Sequence, residues 1–240
     1  MRSTSRLFSF LSLLFVLGAS CTGDKPVISD LRCEYLVDPC AIDVQHPRLS
    51  WKLLSTQKGQ KQTACQVLVA SSEKLLEADV GDLWDSGMME TDRSVHLPYR
   101  GRKLEAREKV YWKVRIWDRQ GVPSAWSKTA SWEMGLDPAE WEAQWIGLDH
   151  YEKFTSRGMY PAIYFRKNLE SSGKIHKARA YISGLGYYEL SINGSKVGDH
   201  VLSPNHTNYD RRQSPADFDE KEVSKMSTRV LYECWDITSF

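Results

Sequence analysis

The stretch VYWKVRIWD, residues 110–118, sets the fold class of this 240-residue chain. Its apolar residues recur at every second position, with charged or aromatic side chains between them. Val110, Trp112, Val114 and Ile116 form one set, and Tyr111, Lys113, Arg115 and Trp117 form the other. Successive side chains of a strand point to opposite faces of its sheet. The stretch therefore predicts a half-buried antiparallel strand with the first set on the core.

Similar short runs flank this strand. LSWKLLS (49–55), CQVLVAS (65–71) and SWEMGL (131–136) are rich in β-branched and aromatic residues and are separated by turn signals. Only SSEKLLEAD (71–79) is typical of a helix, with Ser71 or Ser72 as its N-cap. Residues 31–136 are thus predicted to form one fibronectin III or Ig-like sandwich, a fold that usually takes about 100 residues.

The segment DPAEWEAQWIG (137–147) is predicted to link this sandwich to a second domain. Its two tryptophans, Trp141 and Trp145, can either cover the seam between the domains or stack on a ligand. We favour the seam for both, because tryptophans beside a domain boundary usually pack it.

Residues 148–240 also show strand patterns. Strands are predicted at AIYFRKNLE (162–170), ARAYISGLG (178–186), YYELSING (187–194) and RVLYECWDIT (229–238), and a polar insertion at 211–228. Asn193-Gly194 indicates a type I′ hairpin turn. The predicted fold class is all-β, with the Ig-like sandwich followed by an incomplete jelly-roll, or galactose-binding-like, β-sandwich.

The N-terminal segment MRSTSRLFSFLSLLFVLGASC has the features of a secretion signal. Arg2 and Arg6 precede an apolar run at 7–17 that is too short to span a bilayer. The ending LGASC (17–21) resembles a bacterial lipoprotein box. We expect a signal peptide over 1–20, lipidation of Cys21 and a tether over 21–30, which anchors the protein in the periplasm or at the cell surface. The alternative is an ordinary signal peptide with a cysteine near its cleavage site.

Charge and cysteine content give no indication of nucleic-acid or zinc binding. The formal net charge is +1, and without Arg2 and Arg6 the acidic side chains exceed the basic ones by one. No nucleic-acid partner is implied. Cys33, Cys40, Cys65 and Cys234 have no zinc-ligand spacing, and the six histidines are scattered. Cys33 and Cys40 could close a small disulfide loop, or the cysteines could remain buried free thiols.

Several ordered motifs resemble the N-terminal region of bacterial α-L-rhamnosidases. They are HPRLSW (46–51), the run from LWDSGMMETD to SWEMGL (83–136), WEAQWIG (141–147), ARAYISGLGYYELSINGSKVGDHVLSPNHTNYD (178–210) and RVLYECWDIT (229–238). The resemblance extends from about residue 31 to residue 240. It implies a fibronectin-like domain and then a jelly-roll module, in a family whose later (α/α)6 barrel hydrolyses terminal α-L-rhamnosides.

The resemblance also implies that catalysis lies outside this sequence. Inverting glycosidases need two carboxyl groups that stand about 6.5–9.5 Å apart, and in this family the barrel supplies them. The chain is expected to be a truncated, non-catalytic portion of a secreted rhamnosidase, with no catalytic residues of its own. The alternative is a stand-alone surface lipoprotein that binds a glycan or a protein partner.

The connection GDHVLSPNHTNYD (198–210) contains the candidate carbohydrate-binding residues. They are Asp199, Asn205, Asn208, Tyr209 and Asp210. Amide, carboxylate and aromatic groups of this kind bind sugars and, in the case of the oxygens, calcium. The sequence therefore predicts a site for a rhamnose-containing glycan, with Asn208 and Asp210 as candidate calcium ligands. The same residues are also good turn formers, which is the alternative interpretation.

Overall fold

A computed structural model of the chain describes residues 25–148, 162–170, 173–207, 209 and 230–240. An N-terminal sandwich is built from two antiparallel sheets. One sheet contains β1 (Val27–Cys33), β2 (Arg48–Leu54) and β6 (Leu97–Pro98). The other has the order β4-β3-β7-β8, with β5 also paired to β3. Its strands are β3 (Ala64–Ala70), β4 (Trp84–Asp85), β5 (Met89–Glu90), β7 (Lys109–Trp117) and β8 (Ala130–Glu133).

Strand β7 confirms the predicted alternation. Val110, Trp112, Val114 and Ile116 are fully buried between the sheets. On the other face Lys113 is also buried, which the alternation did not predict. Its ammonium donates to the carbonyl of Leu76 and pairs with Asp79, so the buried charge is neutralised. The predicted helix is confirmed as α1 (Glu73–Glu77), with Ser72 as its N-cap.

Aromatic side chains fill the centre of the sandwich. The rings of Tyr99 and Trp132 meet edge to face at 5.5 Å. The indole of Trp51 donates a 3.1 Å hydrogen bond to Gln62, which is itself buried. The Gln62 amide donates in turn to two backbone carbonyls of the 91–93 segment. Each polar group in this chain of bonds has a partner, which buried polar groups require.

The second domain is built from shorter strands. β9 (Arg179–Ser183) pairs with β14 (Tyr232–Asp236), β10 (Tyr187–Tyr188) with β13 (Ser203–Pro204), and β11 (Ser191–Ile192) with β12 (Ser195–Lys196), all antiparallel. The predicted hairpin is confirmed. Asn193 and Gly194, with φ of 50° and 82°, connect β11 to β12, and a type I′ turn needs positive φ at both positions.

The strand predicted at 162–170 is wrong. The structure assigns it no strand, and its residues are exposed, with Tyr164 94% accessible. A strand needs a hydrogen-bonded neighbour, and none of the described strands pairs with this segment. The segment has the composition of a strand but lacks a hydrogen-bonded partner strand.

The fold class is confirmed as an all-β sandwich architecture. Burial is uneven between the domains. Among the described residues after 148, Val197 is the one buried hydrophobic side chain, whereas the sandwich buries an extended aromatic and aliphatic core. Within the described ranges no helix has the length and apolarity needed to cross a membrane. The domain boundaries given above stay predictions.

A buried ion pair joins the two domains. Glu133 ends β8 of the sandwich, and Arg179 begins β9 of the second domain. The Arg179 guanidinium lies 3.0 Å from the Glu133 carboxylate, whose side chain is 3% exposed. Lys177 approaches the same carboxylate at 3.2 Å, and Asp236 receives the other Arg179 nitrogen at 2.8 Å. This network fixes β9 and β14 against the end of the sandwich.

The linker tryptophans behave differently from each other. Trp141 is half-buried and packs edge to face on Tyr232 of β14 at 5.1 Å, which confirms the seam prediction for this residue. Trp145 is 62% exposed, so the seam prediction is wrong for it. Trp141 directly follows the 3-10 turn Pro138–Glu140, whose capping box fixes the chain direction. Trp145 lies four residues beyond Trp141.

We expect Arg179→Ala to lower the free energy of unfolding by about 3 kcal/mol, because it leaves Glu133 buried with a weaker partner. Urea titration followed by tryptophan fluorescence measures the change. Arg166→Ala, which removes an exposed arginine of the 162–170 segment, is the matched control and should change little. Adding Glu133→Gln to Arg179→Ala should recover part of the loss. Equal stability of Arg179→Ala and Arg166→Ala would contradict a stabilising role for the Glu133–Arg179 pair.

Candidate carbohydrate-binding site

Strand β14 presents different chemistry on its two faces. Tyr232, Cys234 and Asp236 face the sandwich and the linker. Glu233 and Trp235 face the opposite way, toward the connection that contains the candidate residues. Because alternate residues of a strand point to opposite sides, one five-residue strand both docks the domain and supports the candidate site.

Glu233 is the centre of a hydrogen-bonded network. Its carboxylate accepts 2.6 Å from the Tyr188 hydroxyl, also accepts from the Ser203 hydroxyl, and lies 3.3 Å from Nδ1 of His200. The Trp235 indole donates to Tyr188 at 2.8 Å. These contacts tie β10 and β14 to β13 and His200, which belong to the 198–210 connection.

The network sets the charge state of Glu233. Burial is the largest single influence and opposes the carboxylate, yet the hydrogen bonds from Ser203, Tyr188 and His200 outweigh it and hold the pKa of Glu233 below its usual value. Burial, together with donation to Glu233, raises the pKa of the Tyr188 phenol. Near neutral pH the pair is therefore a phenol that donates to a carboxylate.

Aromatic contacts also hold the connection against β10 and β14. The His200 ring packs on the Trp235 indole at 4.9 Å, and His206 meets Tyr187 edge to face, also at 4.9 Å. Gly198 has φ of 72°, and a Cβ at this position would collide with the Trp235 ring. The close approach of backbone and indole therefore requires glycine here.

The structure describes three of the five predicted site residues. Asp199 is exposed beside His200, and Asn205 is exposed with φ of 91°. The Asn205 side-chain oxygen accepts 2.8 Å from the backbone N–H of His206, a local bond typical of turn residues. Tyr209 is half-buried, with its ring 6.1 Å from His206. Asn208 and Asp210 lie outside the described residues.

The three described site residues lie in two separate places along the connection. Asn205 and Tyr209 lie on either side of His206 in the chain, whereas Asp199 lies beside His200. Among the described residues, no hydrogen bond or ring contact joins Asp199 to the other two. The Tyr209 hydroxyl is buried and finds no hydrogen-bond partner within the described part of the chain. The assignment of all five residues to sugar binding stays a prediction.

Calcium binding also stays a prediction. In the ranges that the structure describes, no group of three or more His, Cys, Asp or Glu residues could hold a metal ion. The Asn205 oxygen is already engaged with its own backbone neighbour. The candidate ligands, Asn208 and Asp210, lie outside the described residues.

A broad cleft of about 2060 Å³ runs between the sandwich and the second domain. Its walls are largely apolar, and they include Leu104 and Met134 on one side and Phe165 and Leu190 on the other. Pockets for small ligands are usually about 300–1,000 Å³ and carry a few convergent polar groups. The size and lining of this cleft do not match a site for one terminal sugar.

Sequence reasoning did not identify Glu233, His200, Ser203 or Tyr188 as a group. These residues come from three strands and a loop, so their spacing along the chain carries no motif. The one available signal was a glutamate and a tryptophan at alternate positions of the YECWD strand. That signal marks a polar face but not the partners that the face meets.

The chain is a two-domain β-protein. An Ig-like sandwich is joined through a buried ion pair to a second β-domain, which carries a polar connection with aromatic contacts. Two family descriptions match the chain in that order. Residues 28–137 match the "Rha78A-like, N-terminal immunoglobulin domain", and residues 173–226 match the "Alpha-L-rhamnosidase N-terminal domain". These matches, with the relatives below, show that the chain corresponds to the N-terminal region of α-L-rhamnosidases.

The relatives agree with this assignment. An α-L-rhamnosidase of Formosa agariphila is 34% identical over 96% of this chain, and one of Alteromonas sp. is 31% identical over 89%. The solved α-L-rhamnosidase of Dictyoglumus thermophilum is 35% identical, covers 88% of this chain and superposes with a TM-score of 0.71. The chain spans about a quarter of the length of each, namely 27%, 24% and 23%.

The depressed pKa of Glu233 predicts acid sensitivity of the second domain. A carboxylate whose folded-state pKa is lowered stabilises the fold above its unfolded pKa, about 4.3, and this stabilisation is lost as pH falls through the folded value. Nuclear magnetic resonance of the Trp235 indole N–H between pH 6 and pH 2 should report a transition below about 4.3.

The control for this experiment is a second glutamate of the same domain. Glu233→Gln should abolish the transition at Trp235, whereas Glu189→Gln should preserve it, because Glu189 is exposed and pairs with Lys196 on the surface. A transition that persists in Glu233→Gln would show that another group controls the indole.

Proposed function

We propose that this chain is the non-catalytic N-terminal part of a secreted α-L-rhamnosidase, in which the 198–210 connection binds a rhamnose-terminated glycan. The observation that carries the proposal is the pair of consecutive rhamnosidase domain matches over residues 28–137 and 173–226. The second match contains the whole connection. The network around Glu233 supports the proposal because it holds the backbone of the connection in place.

The charge state of Glu233 argues against a general-acid role for this residue. A glycosidase general acid needs a raised pKa so that it holds a proton at working pH. Hydrogen bonds lower the pKa of Glu233 instead, and its oxygens are occupied by Tyr188, Ser203 and His200. Hydrolysis in the proposed full-length enzyme therefore belongs to the three quarters of the relatives that this chain does not cover.

The connection itself offers the groups that a sugar needs. Asp199 and Asn205 expose oxygens to solvent, and Tyr209 provides an aromatic ring with an unpartnered hydroxyl among the described residues. Sugar rings bind through hydrogen bonds at their edges and aromatic contact at their faces. In this proposal Asn208 and Asp210 complete the site, with calcium as the candidate ion.

Isothermal titration calorimetry tests the binding half of the proposal. The purified chain should bind rhamnose weakly, and chelation of calcium should reduce the affinity at least tenfold. Asp210→Ala should have the same effect as chelation. Glu170→Ala, in an exposed segment of the same domain, should bind like the parent chain. Binding that survives both chelation and Asp210→Ala would remove these residues from the site.

An aryl rhamnoside assay tests the catalytic half. The chain alone should release no rhamnose above the buffer rate, because in this proposal the acid and base carboxyl groups that hydrolysis needs lie in the part of the enzyme that this chain does not cover. Release that scales with the concentration of the purified chain would overturn the non-catalytic assignment.

We further propose that the protein is exported and held on a membrane through lipidated Cys21. The support is the order of basic residues, short apolar run and LGASC box at the N-terminus. Cys21→Ala removes the thiol that would receive the lipid. We expect this variant to leave the membrane fraction and appear in the soluble one on ultracentrifugation, whereas Cys33→Ala should fractionate like the parent. Unchanged fractionation of Cys21→Ala would refute the anchor.

A further inference from the structure

Two cysteines from different domains meet at the seam. Cys40 lies in the sandwich segment that runs along β8, where Glu133 donates its backbone N–H to Pro39 and the backbone of Ile42 bonds to both Glu133 and Gly135. Cys234 is the central residue of β14 and pairs with Tyr181 of β9. The Cys40 thiol donates a 2.8 Å hydrogen bond to the backbone carbonyl of Cys234. Residues that are 194 positions apart in sequence are thus in direct contact.

Each cysteine also shifts the pKa of the other. Cys234 has the largest influence on Cys40 and lowers its pKa, burial opposes this effect, and the Arg179 guanidinium also lowers the pKa. The reciprocal interaction is the largest influence on Cys234 and raises the pKa of that thiol. Cys40 therefore loses its proton more readily than Cys234, and the thiolate is the form that attacks a disulfide.

The other two described cysteines have a different environment. Cys33 and Cys65 are 1% and 0% exposed in the sandwich core. Burial raises the pKa of the Cys33 thiol strongly and that of Cys65 to about 11. Buried thiols of this kind are unreactive. The chemistry therefore favours Cys40 and Cys234 over the Cys33–Cys40 pairing that the sequence allowed.

We propose that Cys40 and Cys234 form an interdomain disulfide that locks the second domain onto the sandwich. The geometry carries the proposal, because a carbonyl oxygen lies two bonds from its own Cα. A thiol in contact with that oxygen is within reach of the side chain of the same residue. The compartment in which the bond would form rests on the proposed export, whereas the pairing itself depends on the fold alone.

The oxidation is a thiol–disulfide exchange with an external disulfide, such as oxidised glutathione in vitro or a disulfide-donating oxidase in an exported setting. The Cys40 thiolate attacks one sulfur of the donor, forms a mixed disulfide and expels one donor thiolate. The Cys234 thiolate then attacks the Cys40 sulfur and expels the second. The two cysteines lose two protons and two electrons, and the donor disulfide is reduced to two thiols.

The bond would reinforce contacts that already exist. It would lie beside the Glu133–Arg179 pair and between β14 and the segment preceding Ile42. Because it would close a loop of nearly the whole described chain, it should raise Tm by on the order of 10 °C.

The test uses the full chain with Cys21→Ala, so that the four remaining thiols are those of the described residues. After incubation with oxidised glutathione, thiol titration in denaturant should fall from four to two. Peptide mapping by mass spectrometry without reduction should recover a peptide that links residue 40 to residue 234. Thermal unfolding should shift upward, and dithiothreitol should reverse the shift.

Matched variants separate the possibilities. Cys33→Ser should still lose two thiols on oxidation, whereas Cys40→Ser should lose none to an internal bond. Four thiols after oxidation, or a peptide that links residue 33 to residue 40, would overturn the proposal. Peptide mapping of the parent chain distinguishes the two pairings even if a serine variant fails to fold. Sugar binding is not part of the readout, so failure here is distinguishable from failure of the proposed function.

Discussion

The buried contact between Glu133 and Arg179 is the constraint on which the relation of the two domains depends. Glu133 is 3% exposed, and a carboxylate removed from water is tolerated only when cations or hydrogen bonds compensate it. The cations come from the second domain, as Arg179 and Lys177. The sandwich therefore ends in a charge that it cannot satisfy by itself, and the position of β9 is set by the need to neutralise that charge.

This constraint reaches the candidate site through β14. Arg179 also pairs with Asp236, so the ion-pair network holds both β9 and β14, which are already joined by their hydrogen-bonded ladder. The same strand carries Glu233 and Trp235 on its other face. Placement of β14 against the sandwich thus also places Glu233 and Trp235, which hold the described part of the 198–210 connection.

The sequence predicted elements whose determinants are local. Strand β7 follows from period-two alternation, α1 from its serine cap, and the β11–β12 hairpin from Asn193-Gly194. The failures depend on distant partners. The 162–170 segment has strand composition without a pairing strand, and the contacts of Glu233 come from residues 30 to 45 positions away. Burial of Lys113 likewise depends on Asp79 and Leu76, which no periodicity reveals.

One face of β14 contacts the sandwich and the other contacts the connection. This arrangement explains why the connection can be polar and exposed without destabilising the fold. The Ser203 hydroxyl and the His200 imidazole of the connection contact Glu233, and the His200 and His206 rings pack on Trp235 and Tyr187. Asp199 and Asn205, in the same connection, are exposed. Exposed residues placed this way can change while the network around Glu233 keeps the backbone in place.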